Sequence, residues 1–244
     1  MATFGVAVFS FDGIKDVAPC LESVAWADRI LLLHLGADAP NVGSRELPAL
    51  AVRPLASWSE AEKHCEEIGT DWVLYLWAGE RLDAALARWL REFRTVAEAA
   101  GVYTLRVRSL ILNEWVEGGL SGPSPSPRLA RGKENPLGWW LKRPPVGEGG
   151  EGWIEDHGTA ELAHAVERVQ ALSDYWEACL MRTAEPPGAL ATIFAAAEIK
   201  LRMLLRSGVL SRGIAGIALA ALAAYSVLLS GAKLWEARHA NGRG

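Results

Sequence analysis

Short apolar runs alternating with amphipathic segments predict an α/β domain on a largely parallel sheet, followed by a C-terminal helical region. Three observations carry this. Residues 3–11, 29–35 and 72–76 are apolar runs of strand length, the first ending at Asp12-Gly13. The segments between them place apolar residues at helical spacing, as a sheet covered on both faces requires. From Thr159 onward the chain changes to long helical segments, which sets domains at 1–158 and 159–244.

Taken in order, residues 14–24 carry Ile14, Val17, Leu21 and Val24 at helical spacing, with Pro19 suited only to a first turn. Residues 36–43 read as loop, 50–55 as a weak third strand, and 58–68 as a helix polar on one side. Residues 82–100 form an amphipathic helix with Leu82, Leu86, Trp89, Leu90 and Phe93 on one face. Residues 102–112 alternate as one strand, 118–127 form a Gly- and Pro-rich loop, and 129–153 are irregular and cover a cleft. Helices follow over 160–183 and 189–206, separated by Pro186-Pro187-Gly188.

Residues 213–232 contain no charged side chain and approach the ~20 residues a helix needs to span hydrocarbon. Arg202, Arg206 and Arg212 precede this stretch, and Lys233 and Arg238 follow it. It is a buried helix of the helical region, or a membrane-lying or re-entrant helix whose basic flanks meet anionic headgroups. A full span is the least supported reading, because basic residues on both sides specify no orientation.

At 244 residues the chain can bury one sizeable core with an appendage. A net charge of −4 gives no reason to expect nucleic acid as a partner. Cys20, Cys65 and Cys179 show no metal or redox spacing, so reduced thiols in a cytoplasmic protein are expected. The N-terminus lacks the basic and apolar regions of a signal peptide. Several of the eleven tryptophans, among them Trp72, Trp77, Trp139 and Trp153, sit beside Gly or charged residues, where a ring can pack in the core or line a cleft.

Several segments, in order along the chain, resemble one family. Cys20-Leu21-Glu22-Ser23-Val24 with Trp26-Ala27-Asp28-Arg29-Ile30 is similar to the opening helix and second strand of bacterial lipopolysaccharide-core β-glucosyltransferases of glycosyltransferase family 2. Thr70-Asp71-Trp72-Val73-Leu74-Tyr75-Leu76 resembles the strand leading into that family's Asp-x-Asp motif, and Glu80-Arg81 the residues after it. Arg128-Leu129-Ala130-Arg131 resembles an Arg-Leu-Phe-Arg-type stretch, and residues 213–236 the family's C-terminal hydrophobic helix. The resemblance implies a GT-A fold, Rossmann-like, binding a nucleotide sugar at the carboxyl ends of its strands. It further implies hexosyl transfer to a lipid-linked or polysaccharide acceptor at the inner face of the inner membrane, in envelope polysaccharide or lipopolysaccharide biosynthesis.

The family's chemistry expects Mg²⁺ or Mn²⁺, held by Asp-x-Asp carboxylates, to stabilise the diphosphate leaving group. At that position stands Trp77-Ala78-Gly79, so the metal ligands are missing. His34 takes the place of the second-strand Asp, Leu35-Gly36-Ala37-Asp38-Ala39 that of the loop after it, and Glu60-Ala61-Glu62 that of a basic stretch, with Lys63 one position on. Asp12 remains as a base-recognition residue, and Glu148 as the candidate catalytic base where the family has His-Glu. Asp12, His34, Trp77, Gly79, Glu80, Arg128 and Arg131 are therefore the candidate substrate-binding residues, with Arg128, Arg131 or Lys133 supporting the diphosphate. Glu80 has an alternative role as a carboxylate at the N-terminus of the 82–100 helix. Two functions follow: a divergent, metal-independent transferase, or a pseudoenzyme that keeps the fold as a binding or partner module.

Overall fold

The computed structural model describes residues 2–12, 17–44, 46–93, 101–120, 124–132, 146–181, 188–206 and 212–241. The chain divides into two compact units, Met1–Arg108 with Pro125–Gly158, and Ser109–Ser124 with Thr159–Gly244.

The first unit is built on strands β1 (Phe4–Phe11), β2 (Arg29–Leu35), β3 (Leu50–Pro54) and β4 (Trp72–Trp77). β1 runs parallel to β2 on one side and to β4 on the other, and β2 runs parallel to β3. β1 and β4 are buried along their whole length, as continuous apolar runs covered on both faces should be. Their even-numbered residues join the helices α1 (Ala18–Ser23) and α3 (Ala84–Phe93) in one core of Phe4, Val6, Val8, Leu21, Leu74, Leu76, Leu86 and Leu90. Phe9, Tyr75 and Trp77 occupy the opposite face of the sheet, where Phe9 and Trp77 meet Trp58. Trp58 opens a 3-10 turn (Trp58–Glu60) that leads into α2 (Ala61–Glu66), so the single helix expected over 58–68 is split.

α1 carries proline in its first turn, as Pro19 predicts. α3 starts at Ala84, later than expected, because Asp83 accepts the Leu86 N–H at 2.8 Å as its cap. Glu80–Leu82 is instead a short strand, β5. The stretch expected as one strand over 102–112 is two, β6 (Val102–Leu105) and β7 (Val107–Ile111). The division between the units falls inside β7.

The expectation that 129–153 is irregular fails in part. β9 (Ser126–Arg131) lies in the middle of the sheet, antiparallel to both β4 and β6. Proline argues against a central strand, because it cannot donate to the ladder. Here Pro127 stands opposite Thr104, at an irregularity in the β6 register. β10 (Val146–Glu148) closes that edge parallel to β6, and β11 (Ile154–Asp156) pairs antiparallel with β5. The order of the seven-stranded sheet is β10-β6-β9-β4-β1-β2-β3. The expected Rossmann-like α/β architecture with C-terminal helices is present.

The second unit holds the end of β7, β8 (Glu114–Glu117), α4 (Leu162–Met181), α5 (Ala189–Arg206) and α6 (Gly213–Asn241). Leu112 and Asn113, both at positive φ, form the two-residue turn from β7 to β8. α6 packs on α4 and α5 and touches β8. It buries Ala215, Leu219, Ala220, Ala223, Val227, Ser230 and Leu234, and exposes Ile214, Ile217, Tyr225, Leu228 and Trp235. The buried set recurs at helical spacing, and the exposed set, completed by the exposed Ala221 and Ala232, recurs every three or four residues, so one helix carries two apolar faces of which one is packed. Gly231 permits the α5 contact, since a Cβ there would lie 2.2 Å from Thr192 Cγ2. α6 is long and apolar enough to cross a membrane, with half of that stretch buried in the protein.

Candidate functional site

The strand order reverses between β1 and β4: the chain proceeds from β1 outward through β2 and β3, then returns to place β4 on the other side. In open α/β sheets the crevice outside the carboxyl ends at such a reversal is where ligands bind. The strand ends there are Phe11-Asp12, His34-Leu35 and Trp77-Ala78-Gly79.

His34 stands opposite Ser10 in the parallel register, and its Nδ1 lies 3.2 Å from Ser10 Oγ. Both residues are buried. His34 Nε2 faces Asp12 Oδ1 at 3.5 Å. Asp12 is half exposed, and its carboxylate accepts the Ala37 N–H at 3.1 Å and the Asp38 N–H at 3.4 Å. The Ala37 N–H is the main reason the Asp12 carboxyl titrates below its usual range; the Asp38 N–H and His34 reinforce it against partial desolvation. Gly36 makes this arrangement possible, since a Cβ there would lie 2.0 Å from Asp12 Oδ1 and 2.7 Å from His34 Nε2. The result is a fixed acceptor at the sheet edge, suited to ribose hydroxyls or the N–H groups of a base.

At the end of β4 the chain turns through Gly79, which has φ +91°. The turn is held on three sides. The Ala78 N–H donates to Phe9 O at 2.7 Å, and the His157 N–H donates to Gly79 O at 2.9 Å. From within, Glu80 Oε2 accepts the Trp77 N–H at 2.8 Å. The same carboxylate takes both guanidinium arms of Arg128, at 2.7 and 3.2 Å. Glu80 and Arg128 are 2% and 1% exposed.

Glu80 is therefore the brace of the turn rather than a carboxylate at a helix start, since it lies in β5 and Asp83 caps α3. Arg128 is spent on that brace and faces inward. Arg131 sits opposite Trp72, at the far end of β4 from Trp77, with its guanidinium 5.9 Å from the Trp72 ring. The antiparallel direction of β9 thus carries Arg128 and Arg131 to opposite ends of β4, and the pair expected to share a diphosphate is not assembled. Lys133 lies outside the described residues.

Glu148 ends β10 and is exposed. β10 points the same way as β4, so Glu148 lies at the same edge of the sheet, three strand spacings or roughly 14 Å from β4. Glu60 accepts the Ala56 N–H at 3.1 Å beside the 3-10 turn.

The donor set does not fit the divalent cation that the resemblance implies. Trp77, Ala78 and Gly79 offer no side-chain oxygen, and the adjacent carboxylate is turned inward onto Arg128. Among the described residues no three His, Cys, Asp or Glu side chains are grouped as a metal site.

Sequence reasoning did not single out Ser10, Gly36 as a packing position, or His157. Each owes its place to pairing between strands distant in sequence, which leaves no local pattern in a single chain.

No family model matches the chain, and no curated protein matches it. Among solved structures it is similar to a protein described as a glucose-1-phosphate thymidylyltransferase from Bacillus anthracis, solved in complex with a sucrose. The likeness covers 72% of this chain and 96% of that one, at 14% identity and a TM-score of 0.38. It is a distant likeness, and the strand order and side chains above carry the description of fold and site.

Proposed function

We propose that this chain is a divergent glycosyltransferase of the family 2 type, binding a nucleoside diphosphate sugar at the carboxyl edge of β1, β2 and β4. The observation that supports this is the reversal of strand order at β1 and β4, with the fixed Asp12–His34 pair and the Gly79 turn at that edge. Asp12 holds the nucleoside, and Trp77-Ala78-Gly79 lies where the family holds its cation. In the transfer, the acceptor hydroxyl oxygen attacks the anomeric carbon while the bond from that carbon to the phosphate oxygen breaks. The nucleoside diphosphate leaves with the electron pair, and Glu148 takes the hydroxyl proton. The acceptor belongs to envelope polysaccharide or lipopolysaccharide, and the exposed side of α6, with Arg212 and Arg238 flanking it, rests on the inner-membrane surface.

One observation favours a second reading. The Glu80 carboxylate beside the Gly79 turn is committed to Arg128, which suits a non-catalytic binding or partner module. Release of nucleoside diphosphate from a panel of nucleotide sugars, measured with an envelope glycolipid acceptor, separates the two. The transferase reading expects turnover that falls at least 100-fold in Glu148→Gln while donor affinity is kept, the scale of a lost general base. Donor binding without turnover in the unaltered chain would leave the partner module.

A further inference from the structure

Next to the Gly79 turn lies a second group of side chains that the reading above does not use. β5 and β11 form an antiparallel ribbon in which Arg81 stands opposite Glu155 and Leu82 opposite Ile154. Ile154 and Asp156 are buried, so Glu155 takes the other face of the ribbon. Strand alternation puts Trp153 and His157, which flank β11, on the same face as Glu155. The Ile154 N–H donates to Arg106 O at 2.8 Å, which brings the chain at Arg106 and Arg108 alongside.

The outer face of the ribbon is cationic and aromatic. The guanidinium carbons of Arg106 and Arg108 each lie 5.6 Å from the Trp153 ring, which holds both groups in place. Arg108 is ion-paired with Glu155, and His157 Nε2 lies 3.6 Å from the other oxygen of that carboxylate. Arg81 has no ion pair among the described residues, and its buried Nε has no hydrogen-bond partner there. Arg108 and His157 thus meet one carboxylate, Arg81 stands opposite it in the register, and Arg106 shares the Trp153 ring with Arg108. The backbone of His157 ties this face to Gly79 O at 2.9 Å.

We infer that Arg81, Arg106 and Arg108, arranged on Trp153, form a phosphoryl-binding site beside the Gly79 turn. A planar guanidinium with parallel N–H donors matches the oxygens of a phosphoryl group, and the indole orients two of them in advance. The buried Arg81 Nε is the donor that such an oxygen would satisfy. A formal net charge of −4 gives no reason to expect nucleic acid as the partner, so the ligand is a discrete phosphoryl group. Its source is the diphosphate of the donor, or a phosphate on the acceptor. The inference rests on the proposed transferase only for that source.

The test is calorimetry on the full chain with inorganic pyrophosphate in EDTA. The unaltered protein is expected to bind, and Arg81→Gln and the exposed Arg106→Gln each to weaken binding about tenfold, the worth of a charge-assisted hydrogen bond. Both variants should keep the thermal transition of the parent. No pyrophosphate binding, or binding indifferent to both substitutions, overturns the site. Uridine diphosphate and glucose 6-phosphate identify the source: a nucleotide that displaces pyrophosphate marks the donor, and a sugar phosphate that displaces it while the nucleotide stays bound marks the acceptor. Pyrophosphate binding with no nucleotide binding at all keeps this site and removes the transferase reading. Nucleotide-sugar binding by a chain that does not bind pyrophosphate does the reverse.

Discussion

Glu80 and Arg128 lie almost wholly out of solvent beside the turn that ends β4. As a buried pair with three charge-assisted hydrogen bonds, they hold the β4 turn from within. Removing one partner strands the other charge, at a cost of about 3–5 kcal/mol. Arg128→Met and Glu80→Gln should each lower the free energy of unfolding in urea by that order, and the double variant by less than the sum. Additive losses would show that the pair is not coupled. Asp71 offers a separate check. The Thr3 N–H, then the Thr3 hydroxyl, hold its carboxyl below the usual range, with Arg131 adding to them. A carboxyl depressed in the folded state contributes stability that is present above its unfolded value, near pH 4, and is lost as pH falls through the folded value. Asp71→Asn should flatten the stability profile below about pH 4 and leave its shape near neutrality unchanged. A profile that keeps the same acid limb would contradict this. The identities at the site were legible from residue types, whereas which carboxylates face inward was not, because that depends on the direction of β9.

At the level of elements, the runs that became β1, β2 and β4 were plain in the sequence because a doubly covered strand is apolar throughout. β9 was not, because Pro125 and Pro127 mark loops in most settings. Its place in the sheet depends on the irregularity opposite Pro127. β10 and β11 are three-residue strands, too short to show periodicity. α6 was legible in composition but not in orientation: its buried face serves α4 and α5, and its exposed face carries Ile217, Leu228 and Trp235. Removing the whole helix would expose the α4 and α5 packing face as well, so substitutions on the outer face are the cleaner probe. Ile217→Glu with Leu228→Glu should leave the thermal transition nearly unchanged and sharply reduce cosedimentation with anionic phospholipid vesicles. Equal cosedimentation of parent and double variant would reject a lipid-facing role.

For the molecule as a whole, the order β3-β2-β1-β4 fixes where a ligand belongs, and side chains at that edge decide what binds. That edge holds the Asp12 carboxylate in place beside His34, and Trp77, Ala78 and Gly79 offer no side-chain oxygen there. Arg81 on the β5–β11 ribbon, with Arg106 and Arg108 alongside it, stands beside the same turn. Fold and location were readable from apolar runs and their order. The inward Glu80–Arg128 ion pair was readable only once the strands were paired. The proposed function requires that this edge bind a nucleotide sugar without a divalent cation. Calorimetric titration of a panel of nucleotide sugars, in EDTA and again in Mn²⁺, tests it directly. One donor is expected to bind with the same affinity in both buffers, weakened at least tenfold by Asp12→Ala through loss of a charge-assisted contact. Binding that requires Mn²⁺, or that is indifferent to Asp12→Ala, would contradict it.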